Sequence, residues 1–243
     1  MGGFHTLYLA ANQSRAREQE LLVFDHYLAM DSPMDLLFSM RRLDQYFLEP
    51  LSWPSDSRRE KIQDTMQKTL AVSQSSEFKH GELPYTAEEA RYLIGLSFKI
   101  SLRDLIYATQ RRLNLGVLKN KIGYFKRDKV YDEIMEYSFM EYYKEFLMSY
   151  FSENHGDAQA TEEDLRSFGT LETFEAGFKE KENWDLILNR NDFLLSGADL
   201  QWLLNEMPSK RLHIFSEGGH LGNLWKPEVQ AEILARLNHL LVR

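Results

Sequence analysis

From Trp184 to Leu240 the hydrophobic period switches between strand and helix, and few folds accept that rhythm. Trp184-Asp185-Leu186-Ile187-Leu188 is a short apolar run halted by Asn189-Arg190-Asn191-Asp192, the pattern of a buried strand that ends in a loop. Ser196 and Asp199 form a capping box ahead of Trp202, Leu203 and Leu204, which predicts a helix. Arg211-Leu212-His213-Ile214-Phe215 reads as a second strand, and it runs into Glu217-Gly218-Gly219-His220-Leu221-Gly222. Pro227 then opens a last helix through Val229, Ile233, Leu234, Leu237 and Leu240, proline being well placed in a first turn. Strand, helix, strand, helix with short connections predicts an α/β fold, a parallel sheet covered by helices.

Earlier in the chain, Tyr27-Leu28-Ala29-Met30, closed by Asp31-Ser32-Pro33, supplies one more strand. Ahead of it, Phe4, Leu7, Tyr8, Ala10 and Ala11 follow helical spacing. The long stretch between these core segments is helical in pattern. Ile62, Met66 and Leu70 recur every fourth residue, and Thr86-Ala87-Glu88-Glu89 is a capping box before Tyr92, Leu93, Leu96 and Ile100. Tyr131 to Phe151 carries an aromatic stripe too wide for one helix face, which predicts packing on two sides. The expected organisation is a first core segment at residues 1–35, a helical insertion at 36–182 and a second core segment at 183–243.

Composition narrows the function classes. A net charge of −8 lacks the basic footprint of a general nucleic-acid binder. The absence of cysteine excludes a thiol nucleophile, thiolate metal sites and disulfides. No run of apolar residues is long enough to span a membrane, and the start lacks the basic flank and apolar core of a signal peptide. His26, His80 and His155 show no metal-ligand spacing, so neither a metal nor another cofactor is expected. His5, His213 and His239 read as structural or solvated.

In an open parallel sheet, ligands and reactive groups gather beyond the carboxyl ends of the strands. Asp192 and His220 follow two such ends. A carboxylate that accepts an imidazole N–H fixes the ring's tautomer and stabilises the imidazolium, which makes the ring a general base. The bland alternative is an Asx turn and a solvated loop histidine. The opening Met1-Gly2-Gly3-Phe4-His5-Thr6-Leu7 bears on that choice. It looks like the second half of a nucleophile elbow, the strand–turn–helix in which G-x-S-x-G presents a serine.

With Asp192 and then Gly-Gly-His220, the chain resembles the α/β-hydrolase family, whose triad runs Ser…Asp…His. In many members the elbow reads Gly-x-Ser-Met-Gly-Gly before an apolar helix. The resemblance implies the C-terminal part of that fold, a remnant of a doubly wound parallel sheet, with a large helical cap inserted. It further implies hydrolysis of an ester or related acyl bond of a small, apolar substrate. Asp192 and His220 would be acid and base, and in the full-length parent the Met1 backbone N–H would help form the oxyanion hole. Met1 matches the position just after the serine, so the chain as given is expected to lack the nucleophile and to be inactive. Ser32, Ser196 and Ser216 lack the flanking glycines of an elbow. Asp31 or Asp35 is the alternative acid, one strand earlier. The competing class is a non-catalytic binding or scaffold protein on the same frame.

Two surface features complete the expectations. Arg111 to Lys129 concentrates basic residues among Leu113, Leu115, Val117, Leu118, Ile122, Tyr124 and Phe125. That suits either a helical hairpin with solvated lysines or peripheral contact with anionic lipid. An unpaired edge at the Tyr27 strand, with the underside of the Phe4 helix uncovered, would favour self-association.

Overall fold

Every residue of strand β2 (Trp184–Asn189) is buried, because it is the middle member of a three-stranded parallel sheet. It pairs on one side with β1 (Tyr27–Met30), Met30 opposite Ile187, and on the other with β3 (Leu212–Phe215), Phe215 opposite Asn189. The computed structural model describes residues 2–18, 23–74, 83–123, 127–154, 161–181 and 183–241.

Side chains alternate across β2 and serve two helix layers. Trp184, Leu186 and Leu188 enter a core with Phe4, Leu7 and Ala10 of α1 (Gly2–Ala11) and with Leu203 of α11 (Gly197–Glu206). Asp185, pointing the other way, meets Arg236 of α12 (Pro227–Leu241). Helices therefore lie on both faces of the sheet, and the chain is an α/β mixture with far more helix than strand. The expectation that the underside of the Phe4 helix is uncovered does not hold: Phe4, Leu7 and Ala10 are 3%, 1% and 0% exposed. They are covered by the sheet, by Leu171 and by Phe178.

The chain divides into two compact units, Met1–Ser39 with Thr161–Arg243, and Met40–Ala160. The helical insertion was expected to end at 182, yet residues from Thr161 onward group with the sheet. The reason is apolar burial. Leu171, in the 3-10 turn Leu171–Phe174, and Phe178, in α10 (Glu175–Glu180), belong to the α1–β2 core. The Trp184 indole also donates to the Phe178 carbonyl at 3.1 Å.

The second unit has its own core of Leu102, Ile106, Leu118, Val130, Ile134, Tyr142 and Phe146. Its long helix α5 (Ala87–Leu113) starts at the Thr86–Glu89 capping box and stops at Asn114, which adopts the left-handed conformation at φ 49°. Other helices are α2 (Gln13–Glu18), α4 (Arg58–Gln74), α7 (Phe139–Glu141), α8 (Met148–Asn154) and α9 (Glu162–Phe168), so the Tyr131–Phe151 stripe is not one helix. Helix α6 (Arg127–Glu136) ends, Ser138 and Glu141 form a fresh capping box, and Tyr142–Leu147 winds as a π-helix. Asp44, on α3 (Leu36–Phe47), accepts the restarted helix's first amides, Phe139 N at 2.8 Å and Met140 N at 3.0 Å. A polar interruption that an apolar count overlooks thus divides the stripe. Leu115, Val117, Leu118 and Ile122 pack onto this core while Arg111, Arg112, Lys119, Lys121 and Lys129 stay exposed. Tyr124, Phe125 and Lys126 fall outside the described residues. No helix among the described residues is long and apolar enough to cross a membrane.

Two outcomes are expected. A Cβ at Gly177 would lie 2.1 Å from the Ala11 carbonyl oxygen, so α10 approaches α1 too closely for any side chain. Helix propensity favours alanine over glycine by about 1 kcal/mol, but forcing two backbones apart costs about 1–3 kcal/mol. Gly177→Ala should lower stability in urea unfolding, and a raised midpoint would show that the helices separate freely.

The second outcome concerns Glu89, which is 3% exposed. Burial raises the pKa of this carboxyl, but donors from Lys68, Thr86 and Thr65 outweigh it and hold the carboxyl below the ordinary glutamate value. A folded pKa below the unfolded one gives stability that is present above the ordinary value and lost as pH falls through the lowered one. Between about pH 6 and about pH 3 the wild type should lose more stability than Glu89→Gln; parallel losses would refute the linkage.

Candidate active site

All three strands are parallel, so their carboxyl ends share one edge of the sheet, and each end carries polar residues into the following loop. After β1 comes Asp31, after β2 Asp192, and after β3 the loop holding His220. The structure brings Asp192 and His220 into contact: Nδ1 of the imidazole lies 2.9 Å from Asp192 Oδ2. The Asp192 side chain is 1% exposed and the His220 side chain 21%. Because the carboxylate only accepts, the proton sits on Nδ1, and Nε2 is left as the ring nitrogen for proton transfer.

Local structure explains the placement of each partner. Asp192 N donates to the Asn189 carbonyl at 3.0 Å, and Asp192 Oδ1 accepts Leu194 N at 2.9 Å. The carboxylate is thus locked by an Asx turn with its second oxygen facing the imidazole. The loop residues Gly218 and Gly219 have φ of 151° and 58°, which L side chains rarely adopt. Gly219 N donates to Asn191 Oδ1 at 2.8 Å and anchors the loop to the end of β2. The Phe193 ring stands 5.7 Å from the imidazole centroid in an edge-on arrangement.

The other predicted residues take different roles. Asp35 caps α3, accepting Leu37 N at 2.7 Å and Phe38 N at 3.0 Å. Asp31 is buried at the end of β1 and bonds Asn189 and Leu221 rather than the imidazole. Burial raises the pKa of its carboxyl, and the amides of Leu221 and Asn189 lower it without cancelling that rise. The Ser32 hydroxyl donates to the Pro33 carbonyl at 3.1 Å, and Ser196 caps α11. Met1, His80 and His155 lie outside the described residues, as does the side chain of His239. His26 and His213 are engaged by carboxylates, Asp185 at 2.6 Å and Glu232 at 3.1 Å. Among the described residues no group of three or more histidine, aspartate and glutamate side chains could hold a metal ion.

Three site residues escaped the sequence reading. Asn189, Asn191 and Asn223 look like ordinary loop formers, yet Asn189 and Asn223 are each 2% exposed. The available signal was an asparagine closing an otherwise apolar strand.

No protein-family model, curated protein or solved structure gives a significant match to this chain.

The arrangement predicts a tautomer that can be observed. In nitrogen-15 spectra His220 should hold its proton on Nδ1, and Asp192→Asn should shift the proton toward Nε2, since the side-chain amide can donate to Nδ1 and make it the acceptor. An unchanged Nδ1 tautomer in the variant would detach the ring from Asp192.

Proposed function

We propose that the chain carries the acid–base half of a serine-hydrolase centre on an α/β-hydrolase-like frame. The single observation behind this reading is the 2.9 Å contact between His220 Nδ1 and Asp192 at the carboxyl edge of a parallel sheet. The nucleophile would be the serine that a Gly-x-Ser-Met-Gly-Gly elbow puts immediately ahead of Met1, at the head of α1. His220 Nε2 takes the serine proton as the oxygen attacks an acyl carbon. The resulting imidazolium is stabilised by Asp192 and returns the proton to the departing alcohol. Water repeats the sequence on the acyl-serine and regenerates the base. The Met1 amide would contribute to the oxyanion hole.

The surroundings of the ring favour an apolar acyl or alcohol group. Phe193 flanks the imidazole, and in the same loop as His220 Leu221 and Trp225 are 40% and 62% exposed. Exposed apolar side chains in the loop that carries a reactive group supply binding area to a hydrophobic substrate.

The test uses p-nitrophenyl esters and a longer form in which a Gly-x-Ser elbow and its supporting strand precede Met1. Asp192→Asn should cut kcat by about 10⁴, and His220→Ala by about 10⁶. An unaltered rate in Asp192→Asn would remove the acid role from that residue. The 243-residue chain itself should resist a fluorophosphonate probe; labelling at one serine within it would overturn the placement of the nucleophile.

A further inference from the structure

We propose that Asp31 is a positioning residue for His220, one that acts through the backbone of Leu221 and never touches the ring. The proposal rests on the reading of His220 as the general base and names what fixes it in place. Asp31 is 4% exposed and accepts three hydrogen bonds at 2.8 Å: Asn189 N on Oδ1, and both Asn189 Nδ2 and Leu221 N on Oδ2. The last of these seizes the residue directly after His220. Leu221 has φ 59° and Asp31 itself φ 41°, left-handed conformations that a chain holds only when its surroundings enforce them.

The clip extends to the other end of the loop. Asn223 Nδ2 donates to Asn189 Oδ1 at 2.6 Å and to the Glu217 carbonyl at 3.1 Å. Asn189 Nδ2 returns a bond to Asn223 Oδ1 at 3.1 Å. Gly218 lies against this pair so closely that a Cβ there would be 2.4 Å from Asn189 Oδ1. The loop from Glu217 to Asn223 is therefore held at both ends by one buried polar cluster, rooted in the final residue of β2 and the first residue after β1. Asp31 also lies close enough to Asp192 for the two negative charges to oppose each other. A loop that only had to be closed could use a neutral acceptor. A buried carboxylate makes the stronger, charge-assisted bond to an amide, and it fixes the angle at which the imidazole meets Asp192.

Hydrogen exchange in the 243-residue chain, with nitrogen-15 histidine and backbone labels, tests this without reference to hydrolysis. Asp31→Gly tolerates the positive φ while removing the acceptor. With the Leu221 amide left unpaired the loop opens more readily, and the His220 Nδ1 proton should then exchange about ten to a hundred times faster, while the Leu186 and Leu188 amides keep their protection. Unchanged exchange at Nδ1 overturns the proposal. Should the variant fail to fold, the wild type decides. The Leu221 amide and the His220 Nδ1 proton should show the same protection within about threefold, because one opening event releases both. An Nδ1 proton that is about a hundredfold less protected than the Leu221 amide overturns the proposal. Inactivity of the longer form toward esters would instead sink the functional reading and leave this result standing.

Discussion

The burial of β2 is the constraint on which the rest depends. A parallel pair cannot be closed by a tight turn, so its strands are brought together from distant parts of the chain and held by side-chain burial on both faces. Trp184, Leu186 and Leu188 are each no more than 1% exposed. Fully burying residues of this size is worth about 1.5–3 kcal/mol apiece, which exceeds the net contribution of about 1 kcal/mol from a typical ladder hydrogen bond. Packing rather than the ladder therefore fixes which residues of β1 and β3 lie opposite β2. Once register is fixed, so is the edge at which the three following loops meet. Asp31, Asp192 and His220 are neighbours because Met30 lies opposite Ile187 and Phe215 opposite Asn189.

That edge assembles an unusual amount of polar material away from water. Asp31, Asn189, Asp192 and Asn223 are each 4% exposed or less. An unpaired buried carboxylate or amide is expensive, so such a cluster survives only if its members satisfy one another. The bonds are allocated without overlap. Asp192 spends one oxygen on Leu194 N and the other on His220, while Asp31 spends both on Asn189 and Leu221. The division gives one carboxylate the ring and the other the backbone that carries it.

Much of this was legible in the sequence, for identifiable reasons. The three strands show as short apolar runs closed by Asp, Asn or Gly. The capping boxes at Thr86 and Ser196 mark helix starts because their chemistry is local. Asp192 and His220 could be singled out because both follow strand ends. What stayed hidden was long-range. Nothing local tells Asp31 from Asp192 as partner of the imidazole, since both follow strands; only the register of β1 on β2 turns Asp31 toward Asn189. The assignment of Leu171 and Phe178 to the sheet core was hidden too, because their helices are short and their partners lie on α1, far away in sequence. The break in the Tyr131–Phe151 stripe depends on Asp44, whose acceptance of the Phe139 and Met140 amides no pattern near Tyr137 reveals.

A second carboxylate–histidine pair in the same unit differs from the Asp192–His220 pair in how its charge is shared. Asp185 contacts His26 Nε2 at 2.6 Å, closer than Asp192 is to His220. Yet Asp185 also meets Arg236 at 2.5 Å and has Arg211 at 3.8 Å. A guanidinium is permanently charged, so it neutralises the carboxylate that would otherwise stabilise an imidazolium. The His26 side chain is only 11% exposed, at the amino end of the strands, where a parallel sheet offers no crevice between its loops. Among the described residues Asp192 has no ion-pair partner except His220. Its charge is committed to one ring, and the more exposed of the two histidines holds it. The Asp185 group joins β2, the residue before β1 and α12 as a staple, while the Asp192 group keeps an unneutralised charge facing a ring that can gain and lose a proton.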